Sequence, residues 1–229
     1  ATAVPTRSML DLAPHFGDDA RATAFAEFLE KHRGEAHIVA VQDFPDPDAI
    51  SSALAYRLMA EPFDIEVDIV YEGRISHQEN LALVHILSID LIRFTEALPL
   101  DRYDGAVYID NQGTTTRLAD RLGELGIPAI AVIDHHAPQG VLHPEFTDVR
   151  PVGAAATILT DYLRSGEILT LDADNQQHVN LATSLVHGLR TETNGLVRAG
   201  ADELLAASFL SRLMDPELLE SIMQVQRSH

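Results

Sequence analysis

Short apolar segments rich in β-branched residues alternate with segments of helical periodicity along most of this chain. Strands are predicted at 37–44, 64–72, 106–110 and 127–136, and helices at 20–34, 52–60, 78–87, 114–126, 153–166, 175–189 and 201–214. Strands that alternate with helices of this length indicate βαβ units around a parallel sheet. The alternation therefore predicts an α/β fold and argues against an all-β or all-helical one.

The order of these segments predicts a Rossmann-like parallel sheet flanked by helices, followed by a helical C-terminal portion. No internal repeat, low-complexity run or linker divides the chain. We therefore expect one domain over residues 19–229. The preceding residues 1–18 contain two prolines and little periodicity, and they are expected to form an N-terminal arm.

Composition excludes several classes of function. The 229 residues include 35 Asp and Glu against 16 Lys and Arg, a net charge of −19, which disfavours binding to long nucleic acid. The absence of cysteine excludes disulfides, thiolate nucleophiles and zinc–thiolate sites. No apolar run is long enough for a membrane helix, and the N-terminal residues lack the order of a secretory signal. We therefore expect no membrane partner and a cytoplasmic location.

Acidic residues and histidines follow three of the predicted strands, directly where each strand ends. They are Asp43, Asp46 and Asp48 after the first strand, Asp110 after the third, and Asp134, His135 and His136 after the fourth. In open parallel sheets, ligands bind beyond the carboxyl ends of the strands, where loops converge. Carboxylates and imidazoles are ligands for Mn²⁺, Mg²⁺ or Fe²⁺, and a bound cation would relieve their mutual repulsion.

Each of these motifs alone also has a purely structural explanation. Asp46 and Asp48 are compatible with a solvated turn, or with a cap for a helix that begins near Ala49. Asp110 is compatible with a strand-to-helix turn, and the triplet at 134–136 with a turn whose polar groups are satisfied. The placement of all three at strand ends favours a shared site. By contrast, Asp161 lies in a predicted helix and is expected to face solvent.

Two further features bear on phosphate binding. Ser51 and Ser52 are predicted in the first turn of a helix, where hydroxyl and backbone N–H groups favour an anion. The tiny side chains at 153–157 open another helix. They would permit the close approach either of a phosphate or of a neighbouring element, and the sequence favours neither.

Taken together, these motifs resemble the DHH phosphoesterase superfamily, which includes RecJ-like, oligoribonuclease and exopolyphosphatase-related proteins. The superfamily's first motif is an apolar strand followed by H-x-x-P-D-x-D-A-x-x-S-A, and residues 42–53 read QDFPDPDAISSA. The other matching stretches are AVYID at 106–110, DHH at 134–136, GAAAT at 153–157 and GLRTETNGL at 188–196. The five signatures occur in order and cover most of the chain.

The resemblance implies a phosphohydrolase with two metal ions, commonly Mn²⁺ and in some cases Mg²⁺. At the matching positions, the first ion would be held by Gln42, Asp46 and Asp110, and the second by Asp48, Asp110, His135 and Glu192. The resemblance also implies that His136 faces the phosphate and that Asp134 orients the histidines. Two ions about 3.5–4 Å apart would neutralise the phosphate oxygens.

The sequence departs from the superfamily pattern at two ligand positions. Gln42 stands where the superfamily has histidine, and Glu192 where it has aspartate. An amide oxygen is a weaker ligand than an imidazole nitrogen, so the first ion is expected to bind less firmly. The alternative is therefore a catalytically weakened module that binds a nucleotide or a metal. Superfamily members usually continue into a smaller substrate-binding domain, so we expect this chain to contain the catalytic DHH domain only.

The expected substrate is a small phosphorylated compound. A short oligonucleotide, a dinucleotide, a nucleotide 3′-phosphate and polyphosphate all fit the resemblance. The loop at 71–80 follows a predicted strand, and from it either Arg74 or His77 is expected to reach the substrate; the alternative for Arg74 is a surface ion pair. The apolar helix near 204–214, together with the resemblance, predicts a homodimer.

Overall fold

The structure is a computed structural model that describes residues 15–224. Most of the predicted N-terminal arm, residues 1–14, lies outside the described residues. The first helix begins at Asp19, where the Asp18 side chain accepts hydrogen bonds from the backbone N–H groups of Ala20 and Arg21. This N-cap satisfies donors that the first helical turn leaves unpaired.

The described residues contain eight α-helices and six strands. The helices are α1 Asp19–Lys31, α2 Pro47–Ala60, α3 Gln78–Ile86, α4 Leu118–Glu124, α5 Ala155–Ser165, α6 Gln176–Glu192, α7 Ala201–Leu210 and α8 Pro216–Gln224. The strands are β1 Ala36–Ala40, β2 Glu66–Tyr71, β3 Ile92–Arg93, β4 Gly105–Ile109, β5 Ala129–Asp134 and β6 Phe146–Val149. Two single-turn 3₁₀ helices cover Glu61–Phe63 and Leu100–Arg102.

All six strands form one parallel sheet in the order β3-β2-β1-β4-β5-β6. Residues of β1 alternate between its two faces. Ile38 and Ala40 pack in one apolar cluster with α4, and Val39 packs in a larger cluster with α1, α2, α5 and α6. The predicted α/β architecture, a Rossmann-like parallel sheet with a helical C-terminal portion, is confirmed.

The strand order places a topological switch point between β1 and β4, because the chain leaves β1 toward one edge of the sheet and returns at β4 toward the other. Ala40 pairs with Tyr108 across these strands, and Ile109 pairs with Ile133 across β4 and β5. When this register is extended to the carboxyl ends of the strands, it places residues 42, 110 and 134 side by side. A crevice at the switch point is the usual ligand position in such sheets.

The elements that the sequence did not predict are short. β3 has two residues, β6 has four with Asp148 among them, and α8 has nine. Strands of two and four residues carry too little periodicity to separate them from loops. Within the described residues, no helix combines the length and the apolar character that crossing a membrane requires.

A buried ion network joins β6 to α5, and it overturns the expectation for Asp161. Asp161 is fully buried and lies 2.6 Å from the guanidinium of Arg150, which also bonds Asp148 at 2.7 Å. The hydroxyl of Tyr162 donates to the same Asp148 carboxylate at 2.5 Å. Asp161 therefore pairs with a buried cation supplied by a segment eleven residues earlier, a partner that helical periodicity does not reveal.

Candidate metal centre at the strand ends

The turn after β4 holds Asp110 in a conformation that few non-glycine residues adopt. Its φ is 59°, in the left-handed region, and only 4% of the residue is exposed. The next residue, Asn111, donates its side-chain amide to the carbonyls of Ala40 and Ile109, both at 3.0 Å. These bonds tie the end of β1 to the end of β4 and fix the turn that presents the Asp110 carboxylate.

The central contact of the site joins Asp110 to His135. Oδ1 of Asp110 lies 3.2 Å from Nε2 of His135, and neither buried atom has a hydrogen-bond partner of acceptable geometry among the described residues. Buried polar atoms are normally satisfied, so an unpaired carboxylate oxygen that faces an unpaired imidazole nitrogen needs an explanation. A cation that accepts electron pairs from both atoms provides one.

Asp48 reaches the same point from the first turn of α2. Its two carboxylate oxygens accept hydrogen bonds from the N–H groups of Ala155 and Ala156, each at 2.7 Å. One of these oxygens lies 3.7 Å from Nε2 of His135. The small residues that begin α5 therefore allow close packing against Asp48, and two of their N–H groups are already occupied. The phosphate alternative for residues 153–157 is not supported.

Asp46, and not Asp48, is the N-cap of α2. Its Oδ1 accepts from the backbone N–H of Ala49 at 3.0 Å, while its Oδ2 accepts from the side-chain amide of Gln42 at 2.9 Å. In this structure the Gln42 amide therefore donates a hydrogen bond to a carboxylate that the resemblance assigns to the first ion.

Asp134 orients His136 through its side chain. Its Oδ1 accepts from the backbone N–H of His135 and lies 2.8 Å from Nδ1 of His136. Its Oδ2 accepts from the side-chain amide of Gln112 at 2.8 Å. The ring of His135 is held separately, since its Nδ1 lies 3.2 Å from the carbonyl of Val152. Nε2 of His135 is therefore the nitrogen that faces the carboxylates.

Three of these supporting residues were missed from the sequence, namely Asn111, Gln112 and Val152. Asn111 and Gln112 directly follow Asp110, so polar residues after a strand-end aspartate were an available signal. Val152 acts through its backbone carbonyl and leaves no signal in the side-chain pattern.

Carboxylates crowd this site enough to perturb one another. Burial, followed by the charges of Asp46, Asp134 and Glu192, raises the pKa of Asp110 well above its ordinary value. Burial and the nearby Asp110 likewise raise the pKa of Asp48. Without a bound cation, the site therefore disfavours the simultaneous ionisation of these carboxylic acids, as expected for a cation-binding site.

Glu192, the last residue of α6, belongs to the same electrostatic neighbourhood. Burial and the charge of Asp46 raise the pKa of Glu192, while His135 and His136 act in the opposite direction. Its side chain is solvent accessible and forms no hydrogen bond within residues 15–224. It lies near enough to interact with the site, and its carboxylate is free to reach a ligand.

Ser51 and Ser52 are closed off from solvent, which corrects the expectation that they bind substrate. Both residues are fully buried, and the Ser51 hydroxyl donates to the Asp48 carbonyl at 3.2 Å. A Cβ on Gly188 of α6 would lie 2.6 Å from Oγ of Ser51. Ser51 thus lies on the face of α2 that packs against α6, whereas the Ser52 hydroxyl lies 3.5 Å from Oδ1 of Asp48. Because both serines are fully buried, neither is accessible to a substrate.

The loop that carries Arg74 and His77 lies against the carboxyl side of β1. The backbone N–H of Arg74 donates to the carbonyl of Asp43 at 3.0 Å, and a Cβ on Gly73 would lie 2.1 Å from that oxygen. Both predicted side chains are exposed, and neither forms an ion pair within the described part of the chain. The surface ion pair considered for Arg74 is therefore absent from residues 15–224. A neighbouring cation that the sequence analysis missed is Arg117, whose Nε bonds Asp43 at 2.8 Å.

The sequence was compared with models of known protein families. The model of the DHH family, N-terminal domain, matches residues 37–189, which is more than half of the chain. The chain belongs to the DHH family. The matched segment runs from the start of β1 to α6 and includes the three strand ends described above.

One sequence relative and one solved structure are similar to this DHH chain. The uncharacterized protein MJ1633 of Methanocaldococcus jannaschii is 35% identical over a 192-residue alignment that covers 79% of this chain and 37% of that protein. The chain thus spans little more than a third of that relative's length. An exopolyphosphatase-related protein from Bacteroides fragilis superposes with a TM-score of 0.68 at 16% identity, covering 89% of this chain and 60% of that one. That likeness supports the fold alone.

A third comparison is more distant. RecJ from Thermus thermophilus, solved in complex with Mn²⁺, is 16% identical and gives a TM-score of 0.38, covering 94% of this chain and 38% of that one. A score this low supports no inference about the present DHH chain.

The residues present fit a divalent cation. Ligand atoms of four residues lie within 4.8 Å of one another, and they come from Asp110, Asp134, His135 and His136. Among these, Asp110 and His135 contribute the two unpaired buried atoms, whereas Asp134 is already occupied by hydrogen bonds. Oxygen and imidazole donors in this combination suit Mn²⁺, Mg²⁺ or Fe²⁺.

Proposed function

We propose that this protein is a metal-dependent phosphohydrolase that cleaves a phosphoester or phosphoanhydride bond of a small phosphorylated substrate. The observation that carries the proposal is the pair of unpaired buried atoms, Oδ1 of Asp110 and Nε2 of His135, which face each other at 3.2 Å at the switch point of the sheet. Membership of the DHH family supports the reaction class. A net charge of −19 disfavours long nucleic acid as the substrate.

Two ions, expected to be Mn²⁺ with Mg²⁺ as a substitute, would share Asp110. The first would be held by Gln42, Asp46 and Asp110, and the second by Asp48, Asp110, His135 and Glu192. Ions bound there would supply Lewis acidity toward the phosphate oxygens and lower the pKa of water. They would also give an acidic protein the local positive field that an anionic substrate needs.

The side chains around the ions have distinct roles in this proposal. Asp48 is held by two N–H groups at the start of α5, so its direction is fixed before any ligand binds. The exposed His136 ring, held through Nδ1 by Asp134, keeps Nε2 free for a phosphate oxygen or a leaving group. Asp134 thus acts as a positioning residue for His136.

A substrate panel tests the proposal. The protein would be incubated with Mn²⁺ and a dinucleotide, a short oligonucleotide, a nucleotide 3′-phosphate or polyphosphate, and product release would be measured. We expect turnover of at least one compound, abolished by chelation and restored by Mn²⁺. Metal bound at the strand ends with no turnover of any compound would contradict hydrolysis. It would favour the second candidate, a weakened nucleotide- or metal-binding module, for which Gln42 and Glu192 are the evidence.

Gln42 decides how many ions this site retains. Its amide donates to Asp46 at 2.9 Å, so one carboxylate assigned to the first ion is engaged by an N–H group. Gln42→His would replace that donor with a stronger electron-pair donor. We expect bound Mn²⁺ to rise from about one to two ions per chain and hydrolysis to rise about tenfold or more, the scale of effects seen when metal ligation is altered.

Metal analysis after dialysis and steady-state rates check this prediction together. Gln42→Asn, which keeps an amide but shortens it, is the matched control and should not raise metal content. If Gln42→His binds no more metal and hydrolyses no faster, Gln42 does not occupy a ligand position.

Arg74 tests the substrate side of the crevice. Its side chain is exposed and the loop backbone is fixed against Asp43. Arg74→Ala should raise KM about 10–100-fold, equivalent to one charge-assisted hydrogen bond, and leave Mn²⁺ affinity unchanged. Arg93→Ala, an exposed arginine at the end of β3, is the control. Equal losses of substrate and metal affinity, or no loss, would reject the role.

We further propose that the protein forms a homodimer. Leu204 and Leu205 of α7 remain about half exposed, and Val197 before that helix is largely exposed. Light scattering should therefore give twice the chain mass, and Leu204→Glu should shift the mass toward the monomer. A monomeric mass for the unsubstituted protein would contradict the proposal.

A further inference from the structure

A second group of metal-ligating side chains lies away from the strand-end centre. It is formed by His32 after α1, Glu35 in the following turn and His37 in β1. His37 is five residues before Gln42, which corresponds to about 16 Å along an extended strand. An ion bound here would therefore be separate from any ion at the strand ends.

Three donor atoms of this cluster converge on one point. Oε2 of Glu35 lies 2.7 Å from Nδ1 of His32 and 3.0 Å from Nε2 of His37. Both histidines are buried, and their rings stand 5.5 Å apart in an edge-on arrangement. Glu35 is 34% exposed on its side chain, so the point of convergence opens to solvent on that side.

The opposite nitrogen of each histidine is held by another side chain. Nε2 of His32 lies 3.1 Å from Glu145, which is itself bonded by Lys31, and Nδ1 of His37 lies 2.8 Å from the Tyr56 hydroxyl. Metal-binding histidines characteristically have their far nitrogen fixed in this way, which sets the direction of the near one.

We propose that His32, Glu35 and His37 form a second metal site that binds one Zn²⁺-class cation. Two imidazole nitrogens and one carboxylate oxygen are a ligand set that zinc accepts, with a fourth position left to water. The ion would join the C-terminal end of α1 to the start of β1. The carboxylates of Glu35 and Glu145 exceed the single positive charge of Lys31, so a dication suits the local field.

The site is tested in the Asp110→Asn background, which disables the strand-end centre. After loading with Zn²⁺ and dialysis, we expect one Zn²⁺ per chain and a melting temperature that rises with Zn²⁺. Adding Glu35→Gln should remove both effects, because an amide is a poor zinc ligand. Glu61→Gln, a substitution of an exposed glutamate outside the cluster, should preserve them.

Two results would overturn the proposal. One is absence of stoichiometric Zn²⁺ from Asp110→Asn protein, and the other is equal zinc content with and without Glu35→Gln. If the Glu35 variant fails to fold, Co²⁺ bound to Asp110→Asn protein decides the matter by its visible absorption. Intense bands of four-coordinate Co²⁺ that disappear in His32→Gln support the site. Weak bands of six-coordinate Co²⁺ alone, or intense bands that persist in His32→Gln, reject it. His143→Gln, a substitution of an exposed histidine outside the cluster, is the control, and an equal change of the Co²⁺ absorption in that variant also rejects the site.

Discussion

Asp110→Asn should lower hydrolysis by at least about 100-fold and remove most of the bound metal. Loss of a residue that merely orients a metal ligand costs about 10–100-fold, and Asp110 is proposed to contact both ions directly. Asparagine matches aspartate in size and also tolerates the left-handed backbone found at this position, where φ is 59°. The substitution therefore removes charge and leaves the turn intact. Rates with the best substrate of the panel and metal analysis measure the effect.

The thermal stability of the same variant distinguishes a metal-binding role of Asp110 from a purely structural one. Burial and neighbouring acids raise the pKa of Asp110, so its charge opposes folding once the pH rises above the ordinary aspartate range. In the absence of metal at neutral pH, the Asp110→Asn variant should therefore have a higher melting temperature than the unsubstituted protein. The increase should be about 2–4 °C for each kcal/mol by which the substitution raises the free energy of unfolding. With Mn²⁺ the order should reverse, because the unsubstituted protein gains binding energy.

Asp64→Asn is the matched control, since Asp64 also has a positive φ, 56°, but is exposed. It should leave both activity and metal content unchanged. A variant Asp110→Asn that melts lower than the unsubstituted protein both with and without Mn²⁺, and still hydrolyses substrate, would show that Asp110 is structural.

The strand-end aspartates were predictable because two local patterns coincide. Apolar β-branched runs identify buried strands, and parallel strands must end at the same edge of the sheet. Asp110 and Asp134 each follow such a run, so their proximity follows from topology alone. The register between β4 and β5 places them as that argument requires.

The directions of the side chains were not predictable in the same way. Whether Asp48 or Asp46 caps α2 depends on where the helix begins within two residues, a difference that sequence patterns do not resolve. The contact of Asp48 with Ala155 and Ala156 joins positions more than one hundred residues apart. The burial of Ser51 likewise depends on α6 packing through Gly188, which only the assembled helices determine.

Asp161 shows a related limit. An aspartate in an amphipathic helix is usually solvated, and no local pattern marks one that pairs with a buried arginine. Arg150 reaches it only because β6, a strand too short to be predicted, places Asp148 and Arg150 beside α5. Because β6 was not recognised from the sequence, the buried ion network of Asp148, Arg150 and Asp161 was not predicted either.

Replacing Arg150 by methionine should destabilise the protein by about 3 kcal/mol. Removing one member of a buried ion pair costs about 3–5 kcal/mol, because the partner charge remains buried and unpaired. Here Asp148 and Asp161 would both lose a cation at 2.6–2.7 Å. The lower end of the range applies, since Arg21 still contacts Asp148 and Arg164 still contacts Asp161 at 3.1 Å. The melting temperature should fall by about 6–12 °C.

The loss of stability in Arg150→Met should depend on pH. Burial by itself would raise the pKa of Asp148, but bonds from Arg150 and Tyr162 outweigh it and hold the pKa below its ordinary value. The unsubstituted protein therefore has this stabilisation above the ordinary aspartate pKa and loses it as the pH falls through the lowered one. In Arg150→Met the pKa of Asp148 would be higher, because the bond that lowers it is lost, so the deficit in stability should be largest near neutral pH and shrink toward pH 4.

Arg33→Met is the control, because it makes the same substitution at an arginine whose ion pair is exposed. Arg33 contacts Glu30 at 2.7 Å, and both side chains are largely in solvent. Such exposed pairs contribute little to stability, because water screens the charges and solvates them when they separate. Urea unfolding of the two variants at pH 7 and pH 4 measures the contrast. Equal losses for Arg150→Met and Arg33→Met, or a deficit independent of pH, would mean that the buried carboxylates find other partners and that Arg150 does not hold β6 to α5.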